Sequence, residues 1–334
     1  MNDASTLDWT PLVSIVIPML NEVEAIERCI RSILQQDYPQ DKLEIVVVDG
    51  MSTDGSREKV TELSRQHSSI RLYDNPAKRT PAALNIGARN ATGEVVIILG
   101  AHTTIKHDFV RHNIYYMHTL DVKCVGGTQI NVGDTFKQRA IGYAMGSAFG
   151  IPSAPYRFFP KKRFVDTVVY AAYKKELFDE IGYFDEELHI SEDAEFNWRI
   201  RKAGYKIFYT PEIVSYYYPR KNLNRLFKQF FNYGILRVNV IKKHIDAFKL
   251  IHLVPPLFVL FLLVAVVTTL LSPPFLPVLL VLLGVYFLYL LIGVLLTVLR
   301  IKNFKYFAIL FPVFAAMHTS WGLGFWVGIV KTQN

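Results

Sequence analysis

Charge is missing from three long stretches of this 334-residue chain: 250–271, 275–299 and 306–330 contain no Asp, Glu, Lys or Arg. Each reaches the roughly 20 residues that cross a hydrocarbon layer of about 30 Å, so all three read as transmembrane helices. A buried hairpin of a soluble protein would need more enclosing chain than follows Val330. Cysteine is scarce as well. Cys29 and Cys124 alone exclude a disulfide framework and a thiolate metal cage, and fit a reducing compartment. The first ten residues are polar and acidic, and the apolar run Val13–Leu20 is short, which is not the pattern of a secretory leader. The N-terminal part is therefore expected in the cytoplasm. The linker Arg300–Lys305 carries three positive charges and no negative one, and is assigned to the same side. No G-x-G-x-x-G follows the first apolar run, which argues against a nicotinamide or flavin enzyme. The net charge of +8 meets no nucleic-acid module pattern, so no nucleic-acid partner is expected. Basic residues gather before the first apolar stretch, where membrane lipids or a lipid phosphate are the better counterpart.

What remains is a polar first part with a regular rhythm. Val13–Ile17 and Leu43–Val48 are β-branched, nearly continuous apolar runs, the look of parallel strands covered on both faces. Helical stripes follow at Glu24–Gln36 and Ser56–Ser68. A strand at Ile70–Tyr73, a helix at Pro81–Asn90 with proline in its first turn, and a strand at Val95–Leu99 complete a βαβαβ series. The predicted fold is α/β, an open, doubly wound, mostly parallel Rossmann-like sheet, with ligands beyond the carboxyl ends of the strands. From about Val122 onward the rhythm loosens, and Ile141–Ala154 is assigned to an acceptor-facing subregion. Asn222–Phe248 reads as an amphipathic helix along a membrane interface, or as an ordinary surface helix. The domain reading is 1–221 cytoplasmic, 222–249 interfacial and 250–334 membrane-embedded.

The strand-end rule makes Pro18–Glu22, Asp49–Asp54 and Gly100–Thr104 the candidate loops. A carboxylate ending a buried strand, as Asp49 does, needs a partner, and a ligand donor group at the open sheet mouth is a natural one. Ser52, Thr53 and Asp54 also suit a plain turn and helix cap. Glu192 and Asp193 open a helix that closes on Arg201, Lys202 and Gly204. Acids first and bases last complement the helix dipole, so a structural role and a catalytic one both stand at this point.

The stretches VSIVIPMLNE, VVVDGMSTDGS, ALNIGARNATGEVVIIL, VDTVVYAAYKKELFDEIGYFDEEL and SEDAEFNWRIRKAGYKI, in this order, resemble glycosyltransferase family 2 over Leu12–Tyr218. The succinoglycan-biosynthesis type is similar also at Ala154–Arg157, Tyr216–Arg220 and Gln229–Tyr233. The resemblance implies a GT-A fold and an inverting transfer from a nucleotide-sugar donor, most commonly a UDP-sugar. It implies a lipid-linked acceptor (polyprenyl phosphate or diphosphate) or a growing saccharide, at the cytoplasmic membrane. It places Pro18, Asn21 and Glu22 in the first nucleotide loop, Asp49 at the base, Arg79 and Asn85 near ribose and diphosphate, and Asp193, with Glu192, as catalytic base. Arg157, Arg220 and Gln229, with Lys161, Lys162 and Arg163, fall in an acceptor-binding group.

The resemblance breaks at the metal motif. Where family members carry Asp-x-Asp, and the succinoglycan type Asp-Ala-His, this chain has Gly100, Ala101, His102. A divalent cation, Mn²⁺ or Mg²⁺, is still expected, with His102 as its ligand and Ala101 beside the donor. Diphosphate neutralised by cationic side chains, or impaired transfer, are the alternatives. The missing carboxylate motivates a rival reading as a catalytically silent, nucleotide-binding scaffold. A channel or transporter is disfavoured, because His252 and His318 are the only ionisable residues other than tyrosine in the apolar stretches.

Overall fold

The computed structural model describes residues 8–152, 155–157, 160–187, 192–243, 245, 248 and 250–330. Ala154, Ser191 and Lys331–Asn334, named in the readings above, lie outside them. The described chain forms two compact units, one of residues 1–130 and 156–217 and the other of residues 131–155 and 218–334.

The first unit is built on a nine-stranded sheet. Its opening βαβαβ run is β1 (Val13–Met19), α1 (Ile26–Leu34), β2 (Leu43–Asp49), α2 (Ser56–Gln66), β3 (Ile70–Asp74), α3 (Thr80–Asn90) and β4 (Val95–Ile98). These four strands lie in the order β3-β2-β1-β4, all parallel. Successive side chains alternate between two buried faces: Ile15, Ile17, Ile45 and Val47 enter one core, Val16, Val46 and Val48 the other. Each such side chain contributes about 1.5–3 kcal/mol when fully buried, which is why the runs are apolar without interruption.

Past β4 the sheet turns antiparallel. β5 (Thr103–Ile105), α4 (Phe109–Thr119), β6 (Cys124–Asn131), β7 (Arg163–Val165), β8 (Ala172–Lys174), α6 (Glu176–Ile181), α7 (Glu192–Lys202) and β9 (Ile207–Tyr217) follow. The order continues β4-β8-β6-β9-β5, with β7 on β9. The predicted α/β architecture is thus present as a mixed sheet, parallel on one side only. The few residues between β4 and β5 are too short for a parallel crossover, which needs a dozen or more.

The second unit holds α5 (Phe136–Met145), α8 (Leu223–Lys243), α9 (Val254–Leu271), α10 (Leu276–Ile301) and α11 (Phe307–Val330). Three stretches, Leu250–Leu271, Pro273–Ile301 and Phe304–Val330, are helices long and apolar enough to cross a membrane. α8 packs along α11 at backbone distance. A Cβ on Gly234 would stand 2.2 Å from the Trp321 carbonyl oxygen, and one on Gly324 1.9 Å from that of Phe231. A Cβ on Gly322 would likewise stand 2.6 Å from the Pro255 carbonyl oxygen, so small residues permit close helix packing here. Lys242 Nζ donates to the carbonyls of Gly328 (2.9 Å) and Ile329 (3.1 Å), closing the last turn of α11. The segment assigned from sequence to an acceptor-facing subregion packs with the apolar helices. Phe136 stacks on Tyr306 at 4.6 Å, Arg300 Nη1 donates to the Gly146 carbonyl at 2.6 Å, and His318 Nε2 lies 2.8 Å from that of Phe149.

Candidate active site

Parallel register brings three strand ends level: Met19 pairs with Asp49, and Asp49 with Asp74. The loops after β1 and β2 are sewn together. The Asn21 N–H donates to Ser52 Oγ (2.9 Å), and the Thr53 N–H returns a bond to Asn21 Oδ1 (2.9 Å). The Glu22 N–H donates to Ser56 Oγ (2.8 Å) and the Val23 N–H to Asp54 Oδ2 (3.1 Å). Asn21 turns through the left-handed region with φ of 55°, which asparagine tolerates better than most residues. Asp54 thus serves the loop and helix entry, as the capping alternative holds. Pro18 sits half-buried within β1.

Asp49 is fully buried. Its carboxylate accepts from Ser52 Oγ (2.6 Å), from the Ser52 N–H (3.1 Å) and from Arg57 Nη1 (3.1 Å). Arg57 Nη1 also donates to Asp74 at 2.6 Å. The sequence argument that this carboxylate must have a partner holds, but the partners seen are protein groups, Ser52 and Arg57. Next to it, the Asn75 N–H donates to the Asp49 carbonyl (2.8 Å), and Asn75 Nδ2 to the Arg79 carbonyl (2.9 Å). Asn75 Oδ1 is buried with no hydrogen-bond partner among the described residues. Arg79 itself is exposed at the start of α3.

Asn85, expected near ribose and diphosphate, bonds protein groups. Its amide nitrogen donates to the Phe184 carbonyl (2.9 Å) and to Glu186 Oε1 (2.8 Å), and its oxygen accepts from the Phe184 N–H (2.8 Å). Buried, it ties α3 to the loop before α7. The Lys162 ammonium pairs with Glu212 at 2.6 Å and bonds Tyr116. Arg157 lies 5.4 Å over the ring of Tyr156, while Arg220 is exposed in the second unit. Gln229, on α8, donates to Tyr233 Oη at 2.7 Å.

After β4 a tight turn is fixed by the Thr103 N–H donating to the Gly100 carbonyl (3.0 Å), with Ala101 buried. A Cβ on Gly100 would meet Thr103 Oγ1 and Tyr170 at 3.4 Å. Loss of water around Tyr170, and then nearby Tyr217, hold its phenol well above the ordinary range. It stands as a neutral hydroxyl 2.8 Å from Thr103 Oγ1. His102 Nδ1 lies 3.1 Å from Glu22 Oε1, and its ring meets that of Tyr217 edge-on at 5.1 Å. Among the described residues no three His, Cys, Asp or Glu converge on a metal position. The donors present fit an ion held partly by a diphosphate, not a caged resident ion.

Glu192 and Asp193 begin α7, half-buried, with the Ala194 N–H donating to Asp193 Oδ1 at 2.7 Å. Loss of water and then the neighbouring Asp193 charge push the Glu192 carboxyl up to about 8. The helix is anchored from behind. Glu195, buried, holds Arg199 through two bonds of 2.8 and 2.9 Å, and Arg199 reaches the carbonyls of Ile181, Gly182 and Tyr183. Asn197 bonds Thr167 Oγ1 and the Val168 carbonyl. Sequence reading missed Arg57, Asn75 and Tyr170 altogether. Each is a single residue without a motif of its own: Arg57 reaches Asp49, Asn75 the Arg79 carbonyl, and Tyr170 the Thr103 hydroxyl.

In sequence and in fold the chain is similar to known proteins. A sequence model of "Glycosyl transferase family 2" matches residues 14–182. The dolichyl N-acetyl-alpha-D-glucosaminyl phosphate 3-beta-D-2,3-diacetamido-2,3-dideoxy-beta-D-glucuronosyltransferase of Methanococcus voltae is 29% identical over 329 residues, covering 96% of this chain and 98% of its own. The succinoglycan biosynthesis protein ExoA of Rhizobium meliloti is 32% identical over 232 residues, 69% of this chain and 70% of that one. Among solved structures, the mannosyltransferase PcManGT from Pyrobaculum calidifontis, in complex with GDP-Man and Mn²⁺, superposes with a TM-score of 0.59 at 20% identity, over 96% of this chain and 88% of that one. That likeness is one of fold, and it is the GT-A fold. A matched domain spanning half the chain, together with a relative above 30% identity, makes this protein a glycosyltransferase of family 2.

Proposed function

We propose that the protein is a membrane-anchored, inverting glycosyltransferase that moves a sugar from a nucleotide-sugar, foremost a UDP-sugar, to a hydroxyl of a lipid-linked or growing saccharide. The observation that carries this reading is the end-to-end match to the Methanococcus voltae enzyme, whose name describes a dolichyl-linked sugar acceptor. That match includes the apolar helices. ExoA, named for succinoglycan biosynthesis, supports a saccharide product. The catalytic domain would then lie on the cytoplasmic face of the cytoplasmic membrane, with Arg300, Lys302 and Lys305 on that side.

In this reading the stitched loops after β1 and β2, with Asn75 and Arg79, receive the nucleoside end of the donor. Asp49 acts through Ser52 and Arg57, fixing the loop that lines the donor. Asp193 takes the proton from the acceptor hydroxyl as that oxygen forms its bond to the anomeric carbon. The bond from that carbon to the diphosphate breaks on the opposite face, its electron pair leaves with the nucleoside diphosphate, and the anomeric configuration inverts. Loss of water and the adjacent Asp193 favour the neutral form of Glu192, which spares Asp193 a second adjacent negative charge. A divalent ion bound with the donor would neutralise charge on the departing diphosphate, with His102 as its protein ligand. Arg157, Arg220 and Gln229 remain the candidate acceptor contacts.

The test is a panel of UDP- and GDP-sugars offered to the detergent-solubilised full-length protein with polyprenyl- and dolichyl-linked sugars. The product is read by mass spectrometry and its anomeric configuration by NMR. Acceptor-dependent transfer with an inverted linkage supports the reading. Retention of configuration overturns the mechanism, and a folded protein that binds nucleotide but transfers nothing supports the scaffold alternative.

A further inference from the structure

The turn after β4 lacks the carboxylate that would complete a metal motif, and the nearest carboxylate comes from elsewhere in the chain. Glu22 Oε1 lies 3.1 Å from His102 Nδ1, a contact between residues 80 apart in sequence. An ionised carboxylate only accepts hydrogen bonds, so the proton of this contact sits on Nδ1. In the neutral imidazole that tautomer leaves the lone pair on Nε2, on the side of the ring turned from Glu22. Both partners are held before any ligand arrives. The Glu22 N–H is fixed on Ser56 Oγ at 2.8 Å, the turn bearing His102 is closed by the Thr103–Gly100 bond, and the Tyr217 ring packs against the imidazole. Metal-bound histidines characteristically donate their second ring N–H to such a carboxylate, which sets tautomer and orientation.

We infer that Glu22 is a positioning residue for His102, holding its Nε2 as the protein's nitrogen donor to the cation that accompanies the nucleotide. The inference rests on the metal-assisted reading proposed above. It gives Glu22 a role other than contact with the nucleotide, and it accounts for how a chain with Gly100 in place of an aspartate keeps a cation site. One nitrogen and diphosphate oxygens form a donor set that a hard ion such as Mg²⁺ uses less well than Mn²⁺ does.

Mn²⁺ titrated into the UDP-saturated full-length protein, followed by the loss of the free-ion EPR signal and corrected for UDP alone, tests this without turnover. Wild type binds Mn²⁺ in preference to Mg²⁺. H102A loses that binding, E22A weakens it by about 10- to 100-fold, and E22Q, whose amide oxygen still accepts from Nδ1–H, weakens it less than E22A. If H102A binds as wild type does, the metal reading itself falls. If H102A fails while E22A binds normally, the metal reading survives and the positioning role is overturned. Should E22A not fold, ¹⁵N-histidine NMR of the wild type, with the His102 signal assigned from H102N, decides. A proton on Nδ1 supports the inference and a proton on Nε2 contradicts it.

Discussion

Two carboxylates share the first turn of α7, and they are not equivalent. Glu192 is pushed up to about 8 from 4.5 by loss of water and then by Asp193, so its neutral form is the one the fold favours. That advantage is complete below pH 4.5 and is lost as pH rises through about 8, where both groups are charged. Glu192→Gln mimics the neutral form. Its melting temperature is expected to match wild type in acid and to exceed it increasingly through pH 8, measured by thermal unfolding in detergent across pH. Equal pH profiles would show that the fold does not raise the Glu192 carboxyl. Asn85 ties α3 to the Phe184 backbone. Asn85→Ala strands the buried Phe184 N–H and carbonyl, and should cost about 1–3 kcal/mol, read as lowered thermal stability, with the KM for donor unchanged. Asp49 was legible as a buried carboxylate requiring partners, because burial of charge obeys a general rule. Arg57 as its partner was not, since one turn of helix α2 carries that guanidinium back over two strand ends.

At the level of elements, the parallel half of the sheet is written in the sequence by runs such as Val13–Ile17, whose apolar continuity only a strand covered on both faces requires. The antiparallel half carries no such signal. β6 reads CVGGTQIN with two glycines, and β5, β7 and β8 are three residues each, too short for a period to show. α5 carries no signal of its partners for a related reason: it packs with α10 and α11, far along the chain. α8 was legible as amphipathic, and its partner in the second unit is α11. The two approach so closely that Gly234→Leu drives a side chain into the Trp321 carbonyl. The expected cost is about 1–3 kcal/mol or more, seen as a lower melting temperature, whereas Gly284→Leu, whose Cβ meets nothing within 4 Å, leaves stability unchanged.

For the whole molecule, the apolar helices were the most legible feature, because length without charge is a compositional fact that needs no knowledge of contacts. The proposed orientation is open to direct labelling. Cys29 and Cys124 are fully buried, and loss of water holds the Cys29 thiol at about 12 and that of Cys124 higher still, so neither competes for a thiol reagent. In Asn303→Cys, a membrane-impermeant maleimide is expected to label the linker between α10 and α11 in inverted membrane vesicles and not in intact cells. Labelling of intact cells would reverse the topology. The central claim, transfer to a saccharide hydroxyl with Asp193 as base, meets its most direct test in acceptor-dependent nucleoside diphosphate release by the full-length protein, wild type against Asp193→Asn. The account predicts measurable turnover in wild type and a fall of about 10²- to 10⁴-fold in the variant at unchanged donor affinity; equal turnover in the two would contradict it.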